Sequence, residues 1–570
     1  MSSVQTRGSA AYPQSRVDGL LRASAEAYPD RLAVCSSSGD LTFATWDSLA
    51  TTCGGELSRM LGETNAVVAL GSVLATSFAI AYFGIVRSGN IVVPLNPFLG
   101  EAELQHVLHT SGARVVFVTS GLYKRIQPIR SQLPQLEYLV FLEDSPPPPD
   151  AASLEAWLGR GAGAAVPPPS DTGDDPCSEV ASLLFTSGTT GLPKTVMLTH
   201  RNLTTNAVQV AEAHHLNEAS VALNHLPTFH PMHLLSATYA ASTQVLSASG
   251  DVVDSIDLAN RRRATHYYSL PVRLASLATD ARLADLTLDT VGVIASGGSA
   301  LSPTAAGILT EHFGVPVIQG YGLAETSPLT HSDTPPHPRA GSVGRAVRDT
   351  ECRIVDVASR CVLGTNEHGE VQVRGPQLMK GYLGDVSGSG IDAEGWFSTG
   401  DVGYIEPDGY LFLVDRIKDV FKCENWLVSP AQVESVLSTH PGVKECVVVD
   451  YPDSTKGAVS YAFIVPKNVE NGRDETKAIA EYVNKLLPYY QRLAYVESVA
   501  VIPRSANGKV QRKDLRAAAF RAGSNGAALR LQREVTLRSS DVSGGDIAPQ
   551  YHREDRHSSP PDTAAGSERE

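Results

Sequence analysis

Several common means of binding and localisation are missing from this chain. Its seven cysteines are an odd number with no C-x-x-C pair, which excludes a disulfide framework and a cysteine zinc site. They fit a reducing, cytoplasmic compartment. Positive charge is in deficit. There are 47 Lys and Arg against 61 Asp and Glu, a net charge of −14, so neither nucleic acid nor an anionic membrane is an expected partner. No apolar signal-peptide core stands between Met1 and Arg16, and the closing Ser567-Glu-Arg-Glu is not a peroxisomal address. Long apolar runs are scarce. Ala66 to Val86 is uncharged and long enough to cross a bilayer. Gly71-Ser72 interrupts it, so it reads as a buried strand, Val67 to Leu70, followed by a buried helix, Ala75 to Val86, and no membrane span is expected. What remains, 570 residues with 42% hydrophobic and 19% charged, suits a globular enzyme of two or more domains with a large core.

The richest stretch is Leu183-Leu-Phe-Thr-Ser-Gly-Thr-Thr-Gly-Leu-Pro-Lys-Thr-Val-Met-Leu198. A strand end, Leu183 to Phe185, runs into small hydroxylated residues and glycines, closes at Lys194, and leads to a second apolar run, Val196 to Leu198. This is how a chain surrounds a polyphosphate. Gly188 and Gly191 let backbone N–H groups approach an anion. Thr186, Ser187, Thr189 and Thr190 add hydroxyl donors, and Lys194 adds a point charge. Walker A is excluded because Pro193, not glycine, precedes the lysine. A plain surface loop is the alternative, but such loops seldom gather this many donors between two strands.

Phe185 to Lys194 resembles the phosphate loop of the adenylate-forming superfamily, which comprises acyl-CoA and aryl-CoA ligases, peptide-synthetase adenylation domains and beetle luciferases. The chain is most similar to its acyl-CoA/aryl-CoA, 4-coumarate-CoA-ligase-like branch. Thr195 stands where the family usually has glycine. The resemblance covers nearly the whole chain up to Arg516. It implies an α/β fold: a large N-terminal domain of parallel sheets flanked by helices, plus a β-barrel-like subdomain, followed by a small mobile α+β C-terminal domain. The expected boundaries are a flexible N-terminus at 1–16, an AMP-binding domain at 17–415, a hinge at 416–418, a C-terminal lid at 419–522 and a disordered tail at 523–570.

The order of elements agrees with that fold. Leu41 to Trp46, Ile91 to Pro97 and Ala113 to Val118 alternate with helical patterns, as in parallel sheets covered by helices. Ala81 to Gly89 followed by Val93 to Pro97 is similar to the family's early core motif. Ser145 to Cys177, rich in Pro, Ala, Gly and Asp, reads as a loose surface connection.

Three histidines, His225, His230 and His233, are spaced by five and three. A metal site is conceivable, but no Cys or carboxylate completes it, and a structural role fits better. The segment resembles the family's aromatic-His motif. That match sets His230 near the substrate carboxylate, with Pro231, Met232 and Ser236 by its side chain. The family's adenylation domains for α-amino acids carry an Asp here to bind the ammonium; this chain has none, so the resemblance implies an acid without an α-amino group. An apolar pocket of Met232, Ser236, Gly297, Gly298 and Leu329 admits an aryl or medium acyl chain.

Val291 to Ser299 and Val315 to Thr326 are strands entering glycine turns, where α/β sheets bind ligands. Gln319, Gly320, Tyr321, Gly322 and Ala324 resemble the family's nucleotide block. The glycines admit a flat base and Tyr321 can stack on it. Glu325 beside phosphates makes sense with Mg²⁺ between them, the alternative being a surface salt bridge. Ala324 replaces the usual Thr, and the neighbouring Thr326 either supplies the missing hydroxyl or does not. Glu394 to Gly403 resembles the ribose block, with Asp401 accepting both ribose hydroxyls. Arg416 is set near the ribose by the same resemblance, and Lys418 matches the hinge.

Past the hinge, the family's Lys-Gly-Phe-Gln is Glu424-Asn-Trp-Leu427 here, at the thiol-delivery surface. Lys422 matches a lysine near the adenylate. Ser429-Pro-Ala-Gln432 starts a helix, with Ser429 as N-cap, Pro430 at the first position and Gln432 closing a capping box. Cys446 to Asp450 and Ser460 to Val465 read as strands, and Ala478 to Leu487 as a helix. Asn507-Gly508 turns the chain to present Lys509. Alone, Lys509 is an exposed lysine in a basic hairpin; the resemblance makes it the catalytic lysine.

The implied chemistry uses ATP, Mg²⁺ and coenzyme A. A carboxylate attacks the α-phosphate, pyrophosphate leaves, and a thiol takes the acyl group. Lys194, Glu325 with Mg²⁺ and Lys509 form the clamp. Two other readings stay open: an acyl-AMP ligase loading a carrier protein's phosphopantetheine, and a nucleotide-binding scaffold without turnover.

Overall fold

The computed structural model describes residues 11–163, 175–186, 193–226, 228, 230–336, 338–384, 390–424, 426–467, 472–504, 510–524 and 529–530. Two large sheets dominate. In the eight-stranded one, Val180–Phe185, Ile91–Leu95, Val67–Gly71, Val115–Val118, Tyr138–Phe141 and Ala152–Ser153 lie parallel in that order. Thr195–Thr199 and then Gly381–Tyr382 continue it antiparallel beyond Val180–Phe185. In the nine-stranded sheet, Thr243–Leu246, Val221–Asn224, His266–Ser269, Val293–Ser296 and Val317–Gly322 are parallel. All four residues of Val115–Val118 and all four of Val293–Ser296 are buried, as parallel strands covered on both faces must be.

The uncharged run resolves into core. The strand is Val67–Gly71 and the helix Thr76–Arg87, and every residue of that helix is buried. It packs on the helix Phe43–Leu61 so closely that a Cβ on Gly84 would lie 2.6 Å from Cys53 Cβ. Arg87 closes the buried helix by donating to Asp47 Oδ1 at 2.5 Å and to the Thr51 hydroxyl at 2.6 Å. Fully buried side chains such as Phe78, Phe83 and Ile85 stabilise the fold by roughly 1.5–3 kcal/mol each. No helix among the described residues is long and apolar enough to cross a membrane.

A four-stranded antiparallel sheet, Glu351–Val355, Gly369–Arg374, Phe397–Ile405 and Leu411–Arg416, takes the place of the expected β-barrel-like subdomain. The small α+β unit follows. Its sheet contains Phe421–Cys423, Trp426–Val428, Val443–Asp453, Gly457–Pro466 and Leu493–Ser498, accompanied by helices Pro430–Ser438, Gly472–Leu486 and Arg512–Ser524. Ser429 caps the first helix, accepting from the Gln432 N–H at 3.3 Å. The expected capping box does not close: Gln432 Oε1 accepts instead from Gln491 Nε2 at 3.1 Å.

Three further expectations need correction. Ser145 to Cys177 is not a loose connection throughout. It contains the helix Leu154–Gly161, whose Trp157 is fully buried and edge-on to Phe117 with ring centroids 6.0 Å apart. The N-terminal stretch is not flexible over its whole length. Arg16 donates to Glu179 at 2.7 Å, and the Arg348 guanidinium lies 4.0 Å from the Tyr12 ring centroid. Nor does the ordered chain stop at 522: the last helix runs to Ser524, and Leu529–Arg530 pairs with Leu493–Ser498.

Candidate active site

Strand pairing shapes the base of the expected phosphate loop. Val180–Phe185 and Thr195–Thr199 are antiparallel, with Phe185 opposite Thr195. The Thr186 N–H donates to the Lys194 carbonyl at 3.0 Å and closes the loop's base. Ser187, Gly188, Thr189, Thr190 and Gly191 lie outside the described residues. Lys194 is described, and its Nζ stands 4.6 Å from the centroid of the Tyr382 ring. Tyr382 also donates its hydroxyl to Glu325 Oε1 at 2.9 Å. One tyrosine therefore touches both the expected phosphate lysine and the expected metal carboxylate.

The backbone explains this convergence. Gly381–Tyr382 pairs with Thr195–Thr199, placing Tyr382 opposite Val196, two residues past Lys194. The Leu383 N–H donates to the Thr195 carbonyl at 2.8 Å, and the Met379 N–H to the Glu325 carbonyl at 2.8 Å. Residues 379–383 thus strap the loop's exit strand to the turn carrying Glu325. Tyr382 carries no mark in the sequence, because a two-residue strand has no periodicity and the chain around it carries no cluster of charge.

A second group forms around Asp401. This carboxylate is 5% exposed. It sits opposite Arg416 across an antiparallel pair and takes the Arg416 Nε–H on Oδ1 at 2.9 Å. Tyr321, at the carboxyl end of Val317–Gly322, donates its hydroxyl to Oδ2 at 2.6 Å. Burial first, and the Asp401 charge second, push the Tyr321 phenol well above its ordinary range, so it remains a donor. Gln319 accepts from the Leu301 N–H at 2.8 Å, tying its strand to the turn after Gly297 and Gly298. A Cβ on Gly322 would collide with the Pro328 carbonyl at 1.8 Å, so only glycine fits that approach. Gly320 lies between these contacts, opposite Ser332. The question left by Ala324 is answered by Thr326. That hydroxyl is fully buried and bonds to Leu323 and Pro328 within its own turn, so it does not stand in for the missing one.

Of the residues expected around the acid, some are brought together and others are not. Met232 packs with Leu329, Val210 and Val347 in one apolar cluster. Ser236 is fully buried and donates to the His233 carbonyl at 3.3 Å. His230 is exposed just before the helix Met232–Tyr239. The three histidines part company. His225 Nε2 meets the Ser249 carbonyl at 2.8 Å, and burial lowers its pKa to about 4. His233 packs on Tyr268 with centroids 4.2 Å apart, and burial lowers its pKa to about 3. Both are core histidines, and no metal-binding cluster of three or more His, Cys, Asp or Glu occurs among the described residues.

In the small unit, burial lowers the Lys418 pKa. The Lys418 carbonyl accepts from Arg516 at 3.4 Å, and Asp419 pairs with the same arginine at 3.0 Å. Lys422 is exposed, on the strand Phe421–Cys423. Its charge contributes to holding the Asp356 carboxyl below its usual range, after that group's hydrogen bonds with Ser359. Lys509 lies outside the described residues. Glu325 accepts from Tyr382 and forms no ion pair among the described residues, which suits a carboxylate that meets Mg²⁺ arriving with a nucleotide.

Known proteins match this chain in sequence and fold. The family described as AMP-binding enzyme matches residues 21–383, and the AMP-binding enzyme C-terminal domain matches 432–509. The chain is 32% identical to 4-coumarate–CoA ligase 3 of Arabidopsis thaliana over 460 residues, 78% of this chain and 80% of the relative. Its fold is similar to that of the anthranilate CoA ligase AuaEII in complex with anthranoyl-AMP, with a TM-score of 0.80 and 25% identity, covering 90% of this chain and 99% of that one. It is also similar to o-succinylbenzoate CoA synthetase from Bacillus subtilis in complex with its acyl-adenylate, with a TM-score of 0.74 and 26% identity, covering 87% and 97%. The chain belongs to the AMP-binding enzyme family and is an AMP-forming acid–thiol ligase.

Proposed function

We propose that this enzyme activates an aryl or medium to long acyl carboxylic acid with ATP and passes the acyl group to coenzyme A. A carboxylate oxygen attacks the α-phosphorus, the bond from that phosphorus to the bridging oxygen breaks, and pyrophosphate leaves. The thiol sulfur then attacks the acyl carbonyl, AMP departs, and the thiol proton goes to solvent. Lys194 meets the outgoing phosphates, Asp401 and Arg416 hold the ribose, and Tyr321 aligns Asp401. Glu325 would hold Mg²⁺, which would neutralise phosphate charge when bound. Lys509 spans acid and α-phosphate, Lys418 serves the pivot and Lys422 approaches the adenylate after rotation. His230 faces the acid's carboxylate, while Met232, Ser236, Gly297, Gly298 and Leu329 border its side chain.

The observation that carries this reading is the meeting of Lys194 and Glu325 on Tyr382, since a polyphosphate and its cation need both charges at one place. An aryl acid is favoured: the 4-coumarate and anthranilate ligases are named for aromatic acids, and no carboxylate stands between His225 and Ser236. Seven unpaired cysteines suit a cytoplasmic setting. A carrier-protein thiol is the second reading for the acceptor. It is favoured by Glu424, held at φ +57° where the family has a cationic residue, beside the exposed Trp426. ATP–pyrophosphate exchange across a panel of aryl and alkyl acids tests activation and substrate together. Exchange should depend on an aryl acid lacking an α-amino group; exchange with α-amino acids alone contradicts the reading. Side-by-side thioester formation on free coenzyme A and on a phosphopantetheinylated carrier decides the acceptor.

A further inference from the structure

We infer that Tyr382 is a positioning residue that orients Lys194 and Glu325 for a polyphosphate and its cation. The inference rests on the ligase reading above. A lysine and a carboxylate brought to one place for a polyphosphate and its cation face a difficulty. Opposite charges attract, and a direct ion pair between them would have to be broken before either could serve. Among the described residues no such pair joins them. Tyr382 engages both: the face of its ring meets the ammonium at 4.6 Å, and its hydroxyl meets Oε1 at 2.9 Å.

Each contact does separate work. A ring face attracts a cation by its quadrupole without consuming charge, so Lys194 is held near its target and released to a phosphate at small cost. A phenol donor fixes one oxygen of Glu325 and turns the other lone pairs toward a cation, as outer hydrogen bonds orient metal ligands generally. The tyrosine itself is fixed from both ends. Its strand pairs with the loop's exit strand, while Met379, three residues earlier, donates to the Glu325 backbone. A shift in this strap therefore moves lysine and carboxylate together. The position has room for a tyrosine, since the phenol reaches Glu325 across 57 residues of sequence with normal hydrogen-bond geometry.

Two substitutions separate the functions. Tyr382→Phe keeps the ring and the spacing but loses the donor. Tyr382→Leu loses the ring as well and permits Lys194 and Glu325 to pair. Calorimetric titration of ATP into the full-length protein, with and without Mg²⁺, reads both without requiring turnover. In Tyr382→Phe, metal-free ATP affinity should stay within about twofold of wild type, while the Mg²⁺ concentration giving half-maximal enhancement rises about tenfold. In Tyr382→Leu, metal-free ATP affinity should fall as well, by about five- to tenfold. A melting temperature for Tyr382→Phe matching wild type separates positioning from loss of fold. An unchanged Mg²⁺ requirement in Tyr382→Phe, or equal metal-free affinity in both variants, overturns the role of Tyr382. Wild-type protein that binds no ATP at all overturns the ligase reading and this inference with it.

Discussion

The phenol of Tyr321 donates to Oδ2 of Asp401 at 2.6 Å, joining the end of a parallel strand to the antiparallel sheet that follows it. Arg416 holds the other oxygen at 2.9 Å, so the carboxylate plane is fixed from both sides. Hydrogen bonds to a charged group contribute about 1.5–3 kcal/mol. Tyr321→Phe keeps the ring's packing and frees one oxygen. KM for ATP should rise roughly tenfold, with kcat changing far less. Steady-state kinetics at saturating acid checks this. A fall in kcat at unchanged KM would assign Tyr321 to the chemical step instead.

On the proposed function, Lys509 acts only while the adenylate is being made. Lys509→Ala should lower pyrophosphate exchange by about 10² or more, the scale of one lost charge-stabilising donor. Thiolation of a supplied acyl adenylate should be spared. Equal damage to both half-reactions contradicts the assignment.

Buried histidines set the acid limit of stability. Burial lowers the pKa of His214, His233 and His331 to about 3 each. They are neutral when folded and take a proton near pH 6.5 when unfolded. Their contribution is therefore complete above pH 6.5 and is lost progressively as pH falls toward 3, at about 1.4 kcal/mol per pH unit for each. His233 Nδ1 is buried with no hydrogen-bond partner among the described residues, so His233→Phe sacrifices no bond from that nitrogen. In urea unfolding at pH 7.5, 6.0 and 5.0, that variant should lose stability less steeply than wild type. Parallel slopes would show that His233 does not titrate in this way.

The helix Leu154–Gly161 is held by Trp157, and a Cβ on Gly161 would come within 2.2 Å of the Thr52 carbonyl. Trp157→Ala should cost about 3–5 kcal/mol and leave KM for ATP unchanged in the protein that remains folded. A stability loss below about 1 kcal/mol would mean that the site collapses around the gap.

The parts of the site that the sequence announces are those built from contiguous residues. The run Thr186 to Lys194, the turn at Gly322 and the Asp401 block stand out as candidates through local patterns of glycine, hydroxyl and charge. Val67–Gly71 followed by Thr76–Arg87 is legible for the same reason, because a glycine break and a change of period mark it. Tyr382 is not legible: its importance comes from pairing with a strand nearly two hundred residues earlier. Trp157 is hidden by its neighbours, since prolines and glycines on either side outweigh one short helix. The Tyr12–Arg348 contact crosses 336 residues, a distance at which no local pattern speaks. The histidines at 225 and 233 show the reverse case, a ligand-like spacing whose members are buried for packing.

The central claim is that an acid's oxygen displaces pyrophosphate at the α-phosphorus. It is tested most directly with a carboxylic acid labelled with ¹⁸O in both carboxyl oxygens, incubated with ATP, Mg²⁺, coenzyme A and the enzyme, followed by mass spectrometry of the products. One labelled oxygen should appear in AMP and none in pyrophosphate. AMP without label, or label released in inorganic phosphate, would contradict the account.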